Sequence, residues 1–300
     1  KFNRAQQSSP LLGSNFKPFL YAGAFSEGFT ASTIINDAPI IFEDEALEER
    51  WRPRNASGKF YGPTRLREGL IQSRNLVSVR LLRELGVDKA RSYAQKFGFE
   101  KSRLPADLSL SLGTASLSPL KNAAAYSVFA NGGKVVEPYF IEKIFDRSGN
   151  LVFEREKIKL EQAIDPRIAF LITDILQEAS FRGTARKVSE LKRGDFAGKT
   201  GTTNDAESTW FTGYNSTLVT TVWVGFDQPK SLGNREFGSS VALPIWLSFT
   251  EGILDKIPVK NSLPPEGLSI IKIDKSTGKR ADTETKSSIF EYFLEEYQPN

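Results

Sequence analysis

Three apolar, β-branched segments, "DFAGKTGTT", "STWFTGYN" and "LVTTVWVGF", follow one another after Arg193 with only short polar turns between them. Turns that short cannot form the long crossover that parallel strands require, so the three segments read as an antiparallel meander. The first also carries Gly-Lys-Thr, which invites comparison with a phosphate-binding loop. Such a loop needs one more residue than the Asp195, Phe196 and Ala197 that separate Gly194 from Gly198, because its backbone N–H groups must curl around the phosphates. Strand and turn follow Thr200, where a nucleotide site would have a helix offering its N-terminus. A P-loop nucleotide-binding protein is therefore the reading from a different class that this spacing disfavours.

Helical patterns surround the meander. "SNFKPFLYAGAF" predicts a helix beginning near Ser14, with Pro18 tolerated in the first turn and disfavouring helical geometry at Lys17. "TRLREGLIQ" and "VSVRLLRELG" predict two helices, the second ended by Gly86, with Ser73-Arg74-Asn75 in the loop between them. A helix capped by Ser118 and stopped at Asn131-Gly132-Gly133 comes next, then a hairpin turning at Ser148-Gly149-Asn150, then a helix capped by Asp165. "ALPIWLSFTEGIL" closes the main body as a helix. After the Pro-rich "PVKNSLPPEG", the segment "LSIIKIDKSTGKRA" predicts a hairpin about Ser276-Thr277-Gly278. This order gives an α+β class with an antiparallel sheet, a body over residues 1–260 and a C-terminal extension over 261–300.

Composition restricts the chemistry more than the fold. The 300 residues, 39% hydrophobic and 25% charged, suffice for one large core or two modest ones. No apolar run is long enough for a membrane span and no leader is visible, and the chain, which lacks Met, reads as a piece of a longer protein. The net charge of +4 is dispersed among nearly as many acids, which argues against nucleic acid as a partner. With no Cys there are no disulfides or thiolate sites; with no His there is no Ser-His-Asp triad and no His-ligated zinc. No cofactor is implied and no metal-binding cluster is visible.

A serine activated by lysine is the simplest nucleophile left. Serine and lysine three residues apart on a helix share a face, and a buried lysine near other cations loses its proton near neutral pH. Ser-x-x-Lys occurs at Ser14/Lys17, Ser118/Lys121, Ser189/Lys192, Ser269/Lys272 and Ser276/Lys279. Capping explains Ser118, a polar helix face Ser189, and the tail hairpin Ser269 and Ser276. Ser14 also has a cap as its bland explanation. Ser-x-Asn occurs at Ser73-Arg74-Asn75 and again in the turn at Ser148; Lys-Thr-Gly occurs once, at Lys199-Thr200-Gly201.

Taken in order, Ser14-Asn15-Phe16-Lys17, then Ser73-Arg74-Asn75 59 residues on, then Lys199-Thr200-Gly201 a further 126 on, resemble the motif set of the penicillin-recognising enzymes. "GSNFKPFLYAGAFSEGFTASTIINDAPI", "GPTRLREGLIQSRNLVSVRLL", "LSLGTASLSPLKNAAAYSVFANGG", "RGTARK", "GKTGTTNDAESTWFTGYNSTLVTTVWVGFDQPKSLG" and "ALPIWLSF" extend the resemblance over roughly residues 1–260. On these the chain is similar to the transpeptidase domain of class A, bifunctional penicillin-binding proteins. The resemblance implies a central antiparallel β-sheet packed between helical groups, as in the penicillin-binding transpeptidase and serine β-lactamase-like fold.

It also implies crosslinking of peptidoglycan stem peptides ending in D-Ala-D-Ala and acylation by β-lactams. Ser14 is then the nucleophile, Lys17 its base, Ser73 a proton relay, and Asn75 a hydrogen-bond partner of substrate and Lys17. Lys199 keeps the site cationic, Thr200 and Thr202 bind the substrate carboxylate, Gly201 leaves room for the peptide, and the backbone N–H groups of Ser14 and Thr202 form the oxyanion hole. The family places a glycosyltransferase domain and a membrane anchor upstream and the enzyme on the periplasmic side of the inner membrane. The lead-in "SSPLLGS" departs from the family's Arg-Gln-Pro-Gly, and "EREKIKLEQAID" is short beside relatives with an inserted domain there. A D,D-carboxypeptidase, a β-lactamase and a β-lactam sensor share these motifs. The Glu-x-x-x-Asn loop with which class A β-lactamases activate water does not occur between Asn75 and Lys199.

Overall fold

The computed structural model describes residues 1–40, 51–156 and 159–299. A short helix α1 (Arg4–Gln7) precedes a 3-10 turn at Gly13–Phe16, which runs into α2 (Lys17–Ser26). Strands β1 (Ile34–Asp37) and β2 (Gly62–Arg65) pair antiparallel, and α3 (Leu66–Ile71), α4 (Asn75–Leu85) and α5 (Val87–Gln95) follow. Then come α6 (Pro119–Ala130), the hairpin β3 (Lys143–Phe145) and β4 (Leu151–Glu154), and α7 (Pro166–Arg182). The meander is β5 (Ala197–Thr202), β6 (Ser208–Tyr214) and β7 (Val219–Gly225), paired antiparallel in that order. Helix α8 (Ala242–Glu251) and the two-stranded β8 (Leu268–Asp274) and β9 (Ser288–Leu294) complete the chain.

Alternation along the central strands builds a three-layer body. Ala197, Trp210 and Tyr214 face a core shared by α2, α3, α4, α6 and α7, whereas Phe196 and Phe211 face α8 through Trp246. The sheet thus lies between two helical groups, as expected from the sequence. Phe19 of α2 anchors the larger core. Its ring lies 4.9–5.9 Å from those of Phe16, Phe97, Phe99, Tyr126 and Phe129.

Several sequence expectations shift in detail. The helix read as beginning near Ser14 opens as a tight 3-10 turn, while Lys17 keeps helical dihedrals before Pro18. Asn75, read as loop, is the first residue of α4. Gly86 ends α4 at φ +92 and at once begins α5, which the sequence reading did not separate. Ser118 and Asp165 cap α6 and α7 by accepting from Lys121 N and Arg167 N. A tight turn does form at Asp274–Gly278, but the partner of β8 over its whole length is β9. The returning chain makes only a short bridge there, Arg280 with Ile273.

The β3–β4 hairpin exposes every residue of both strands, with Ile144, Phe145, Leu151, Val152 and Phe153 among them. In the linker that follows it, Lys157 and Ile158 lie outside the described residues.

Because Phe19 joins five aromatic rings directly beneath the turn that carries Ser14 and Lys17, Phe19→Ala is expected to cost about 3–5 kcal/mol. Urea denaturation of parent and variant checks this, with the loss read as a lower transition midpoint.

Candidate active site

The 3-10 turn eclipses side chains three residues apart, so Ser14 and Lys17 project from the same side. Two close backbone approaches hold the turn. Gly13, at φ +54, lies so near β5 that a Cβ would fall 2.4 Å from Thr202 O; at Gly113, φ +82, a Cβ would fall 1.7 Å from Gly13 O. Only glycine fits such left-handed, crowded positions. The unusual lead-in is pinned by Leu12 N to Ala115 O and Gly13 N to Gly113 O, both 2.9 Å, and by Trp210 Nε1 donating to Leu11 O at 2.8 Å.

Asn15, between the two motif residues, ties the turn to the sheet. Fully buried, it donates from Nδ2 to Lys199 O (2.8 Å) and accepts at Oδ1 from Asn122 Nδ2 (2.9 Å) and Thr212 Oγ1 (3.1 Å), and its carbonyl accepts from Tyr126 OH (2.7 Å). The sequence reading quoted this asparagine without assigning it a role. The requirement for a partner-rich polar residue at a fully buried position appears only in three dimensions.

Lys17, Ser73, Asn75 and Lys199 meet beside the turn. Lys17 Nζ donates to Ser73 O (2.8 Å) and Asn75 Oδ1 (2.7 Å) and lies 3.3 Å from Ser73 Oγ. Lys199 Nζ donates to the same Ser73 Oγ (2.9 Å) and to Thr200 O. One hydroxyl therefore lies between two lysine nitrogens. Ser73 has φ +55, a left-handed backbone that a serine adopts only at a cost; this presents both its carbonyl and its hydroxyl to Lys17. Ser14 is half-buried, and its Oγ has no hydrogen-bond partner among the described residues.

Both lysines are fully buried, and the environment opposes their charge. Burial, then the nearby Lys199 and Arg74 charges, push Lys17 well below the ordinary lysine range, with Asp37 pulling weakly the other way. Burial lowers Lys199 to about 7. A second group of residues that sequence reasoning missed supports this pair. Asn55 Oδ1 accepts from Asn75 N (2.8 Å), and Asn55 Nδ2 donates to the buried Asp37 carboxylate (2.7 Å) and to Lys59 O (2.9 Å), fixing the start of α4. Arg54 O receives Asn75 Nδ2 at 2.8 Å.

On β5, Lys199 and Gly201 face the α2 side, and Thr200 and Thr202 take the opposite pleat. Thr200 Oγ1 donates to Thr184 Oγ1 (2.9 Å), and Thr202 Oγ1 accepts from Gly238 N (3.0 Å), which leaves the Thr202 hydroxyl proton available. A Cβ on Gly201 would meet Leu12 O at 2.6 Å and Asn15 Cβ at 2.8 Å, so this glycine admits the Ser14 turn itself to the strand. Thr184, within "RGTARK", and Gly238 had no role in the sequence reading.

A three-stranded antiparallel sheet between helices, with a serine at the mouth of a helix and two buried lysines around a second serine, defines the class of penicillin-recognising transpeptidases. The family described as penicillin binding protein transpeptidase domain matches residues 2–250, and the chain belongs to it. It is 42% identical to penicillin-binding protein 1A of Pseudomonas aeruginosa over 347 aligned positions, covering 99% of this chain and 42% of that protein. The alignment is longer than this chain, so that relative carries segments without a counterpart here. In structure the chain is similar to penicillin-binding protein 1A from Haemophilus influenzae, with TM-score 0.95 and 34% identity, over 100% of this chain and 50% of that one. The penicillin-binding protein PonA1 from Mycobacterium tuberculosis, solved in complex with penicillin V, shares the fold at TM-score 0.74 and 23% identity, over 88% of this chain and 74% of that one. The chain spans less than half the length of the Pseudomonas relative.

Asn15→Ala removes three side-chain hydrogen bonds from a buried site, those with the Lys199 carbonyl, the Asn122 amide and the Thr212 hydroxyl, while Asn122 and Thr212 keep each other and Thr221. At about 1 kcal/mol net for each hydrogen bond lost, the variant is expected to unfold at clearly lower denaturant than the parent, as followed by tryptophan fluorescence.

Proposed function

We propose that Ser14 is the nucleophile of a D,D-transpeptidase that crosslinks peptidoglycan stem peptides and is acylated by β-lactams. The observation that carries this reading is the buried arrangement of Lys17, Ser73 and Lys199 around one hydroxyl. A neutral Lys17 uses two N–H groups on Ser73 O and Asn75 Oδ1 and keeps a lone pair for the Ser14 proton. Ser14 Oγ attacks the carbonyl of the penultimate D-Ala as Lys17 takes its proton. The C–N bond then breaks, and the proton passes by way of the Ser73 hydroxyl to the departing D-Ala amine. An acceptor amine of a second stem peptide attacks the acyl-enzyme and completes the crosslink.

Lys199 supplies the cation that draws a substrate carboxylate, which the Thr200 and Thr202 hydroxyls on the opposite pleat of the strand bind. Asn75 also meets the substrate backbone, and the N–H groups of Ser14 and Thr202 stabilise the oxyanion. Residues 1–260 form the transpeptidase body in this reading and 261–300 an extension. The intact protein works on the periplasmic face of the inner membrane, joined upstream to a glycosyltransferase domain and an anchor; among the described residues no helix is long and apolar enough to cross a membrane.

Intact-mass spectrometry after incubation with benzylpenicillin tests the nucleophile. One persistent penicillin adduct on the parent and none on Ser14→Ala is the expected result. No adduct on the folded parent overturns the assignment, and an adduct lost within the dead time of mixing points to a β-lactamase. Peptide donors, with and without an acceptor amine, then separate transpeptidation from carboxypeptidation.

The two lysines also set a pH dependence. The base works only when deprotonated, so acylation falls as pH drops through the lowered pKa of Lys17. The carboxylate anchor works only when protonated, so acylation falls again as pH rises through about 7, the value for Lys199. A bell-shaped profile of the second-order acylation rate, which reports groups of the free enzyme, is expected with its alkaline limb centred there. An acylation rate that keeps rising beyond that limb rules out a charged Lys199 as the anchor.

A further inference from the structure

Strand β9 lies beyond the residues that the family match covers, yet it delivers a carboxylate to the helix that leads into Ser73. Glu291 is completely buried at its side chain. Its two oxygens accept a fork from Arg67, Nε at 2.7 Å and Nη2 at 2.6 Å, the geometry of a bidentate pair. Arg67 reaches from the same guanidinium to Asp174 (2.6 Å) and Glu178 (2.8 Å) of α7. Arg65, also buried, places Nη1 3.6 Å from Glu291, and that nitrogen has no hydrogen-bond partner. Burial pulls Arg65 below its ordinary pKa; burial pulls Arg67 the same way, but Glu291 and the two α7 carboxylates outweigh it and hold Arg67 above.

These arginines stand at the entry of α3, only six residues long. At its other end Gly69 O and Leu70 O accept from Arg74 N (2.8 Å) and Ser73 N (3.1 Å), so the helix carries the Ser73 turn directly. Ile71 O accepts from Thr184 N (3.3 Å), and the Thr184 hydroxyl accepts from Thr200. A shift of α3 therefore moves Ser73 relative to Lys17 and Lys199 and moves the partner of Thr200 with it. The charge balance fixes the direction of that shift. With Glu291 neutral, the carboxylates left to Arg67 among the described residues are those of α7, and Arg65 keeps Glu68 at 3.4 Å with Glu178 farther off.

We propose that Glu291 is a positioning residue for acylation, holding α3, and through it the Ser73 turn, against the pull of α7. The inference rests on the assignment of Ser73 and Ser14 above. It makes β8–β9 part of the working enzyme, and the tail is stapled a second time by Arg167, which binds Glu296 (2.8 and 2.9 Å) and Gly267 O (3.3 Å) at the start of α7.

The test is stopped-flow acylation by a fluorescent penicillin, resolving the pre-acylation binding constant from the acylation rate constant. The proteins are the parent, Glu291→Gln, Glu291→Asp, Glu296→Gln and Ser14→Ala, each assayed well below its melting temperature. Misplacement of a catalytic group by an ångström costs up to about a hundredfold, so Glu291→Gln is expected to lower the acylation rate constant about ten- to hundredfold. Binding should change by less than about twofold, and the endpoint should stay at one adduct per chain. Glu291→Asp, which keeps the charge on a shorter arm, should fall in between, and Glu296→Gln, which loosens the tail away from α3, should match the parent.

An unchanged rate constant in Glu291→Gln, with only a lower melting temperature, overturns the positioning role and leaves Glu291 a structural ion. Should Glu291→Gln not fold, Glu291→Asp decides: a rate constant equal to the parent's overturns the proposal, and a severalfold loss supports it. Acylation of Ser14→Ala overturns the nucleophile assignment and this inference with it, a failure distinct from a silent Ser14→Ala beside an unaltered Glu291→Gln.

Discussion

Two lysine side chains removed from water around one serine hydroxyl are the constraint on which the rest of the structure depends. Charging either group in that place is costly, and charging both adds their mutual repulsion. The protein supplies carbonyl acceptors for the amines and, among the described residues, no carboxylate in direct contact with either. A directly paired carboxylate would favour the protonated form of Lys17. Asp37, whose charge acts in that direction, is instead engaged by Asn55, which also fixes the N-terminus of α4. Polar but uncharged support holds the amine in place without favouring its charge.

That demand explains the density of asparagines and threonines in the interior. Asn15, Asn55, Asn122, Thr200, Thr209 and Thr212 are all buried, and Asn15 alone connects the Ser14 turn, α6 and two strands. Such groups contribute little net energy when satisfied and cost heavily when orphaned. They act here as registration marks: a slip of one residue between β5 and the Ser14 turn would leave several of them unsatisfied at once. Glycines at 13, 113 and 201 make the same registration in the backbone, since a Cβ at each would lie within 2.6 Å of a carbonyl oxygen.

Local patterns made much of this legible in the sequence. The meander, the capped helices α6 and α7, and the hairpin β3–β4 follow from alternation, Pro and Asp or Ser caps, and turn residues, all encoded within a few positions. The motif residues were legible because their order and spacing are distinctive together. The roles of Asn15, Asn55, Thr184 and Glu291 were not, because each acts across a separation of many residues and nothing in its neighbourhood in sequence marks it as buried and hydrogen-bonded. The β8 partner was misjudged for a related reason. The turn at Ser276 is locally strong, but a strand pairs with whatever offers the longer apolar register, and "SIFEYFL" outcompetes "GKRA".

The β3–β4 hairpin separates two properties usually treated as one. Because both strands are exposed throughout, Ile144, Phe145, Leu151, Val152 and Phe153 lie outside the buried cores of the body and contribute little to them. Their removal leaves the cores and the lysine pocket untouched. The same residues form a concentrated apolar surface on a short two-stranded ribbon, the kind of feature that governs self-association. Colloidal behaviour and folding free energy are thereby assigned to different residues of this chain, so that a variant can precipitate while its folded body remains as stable as before.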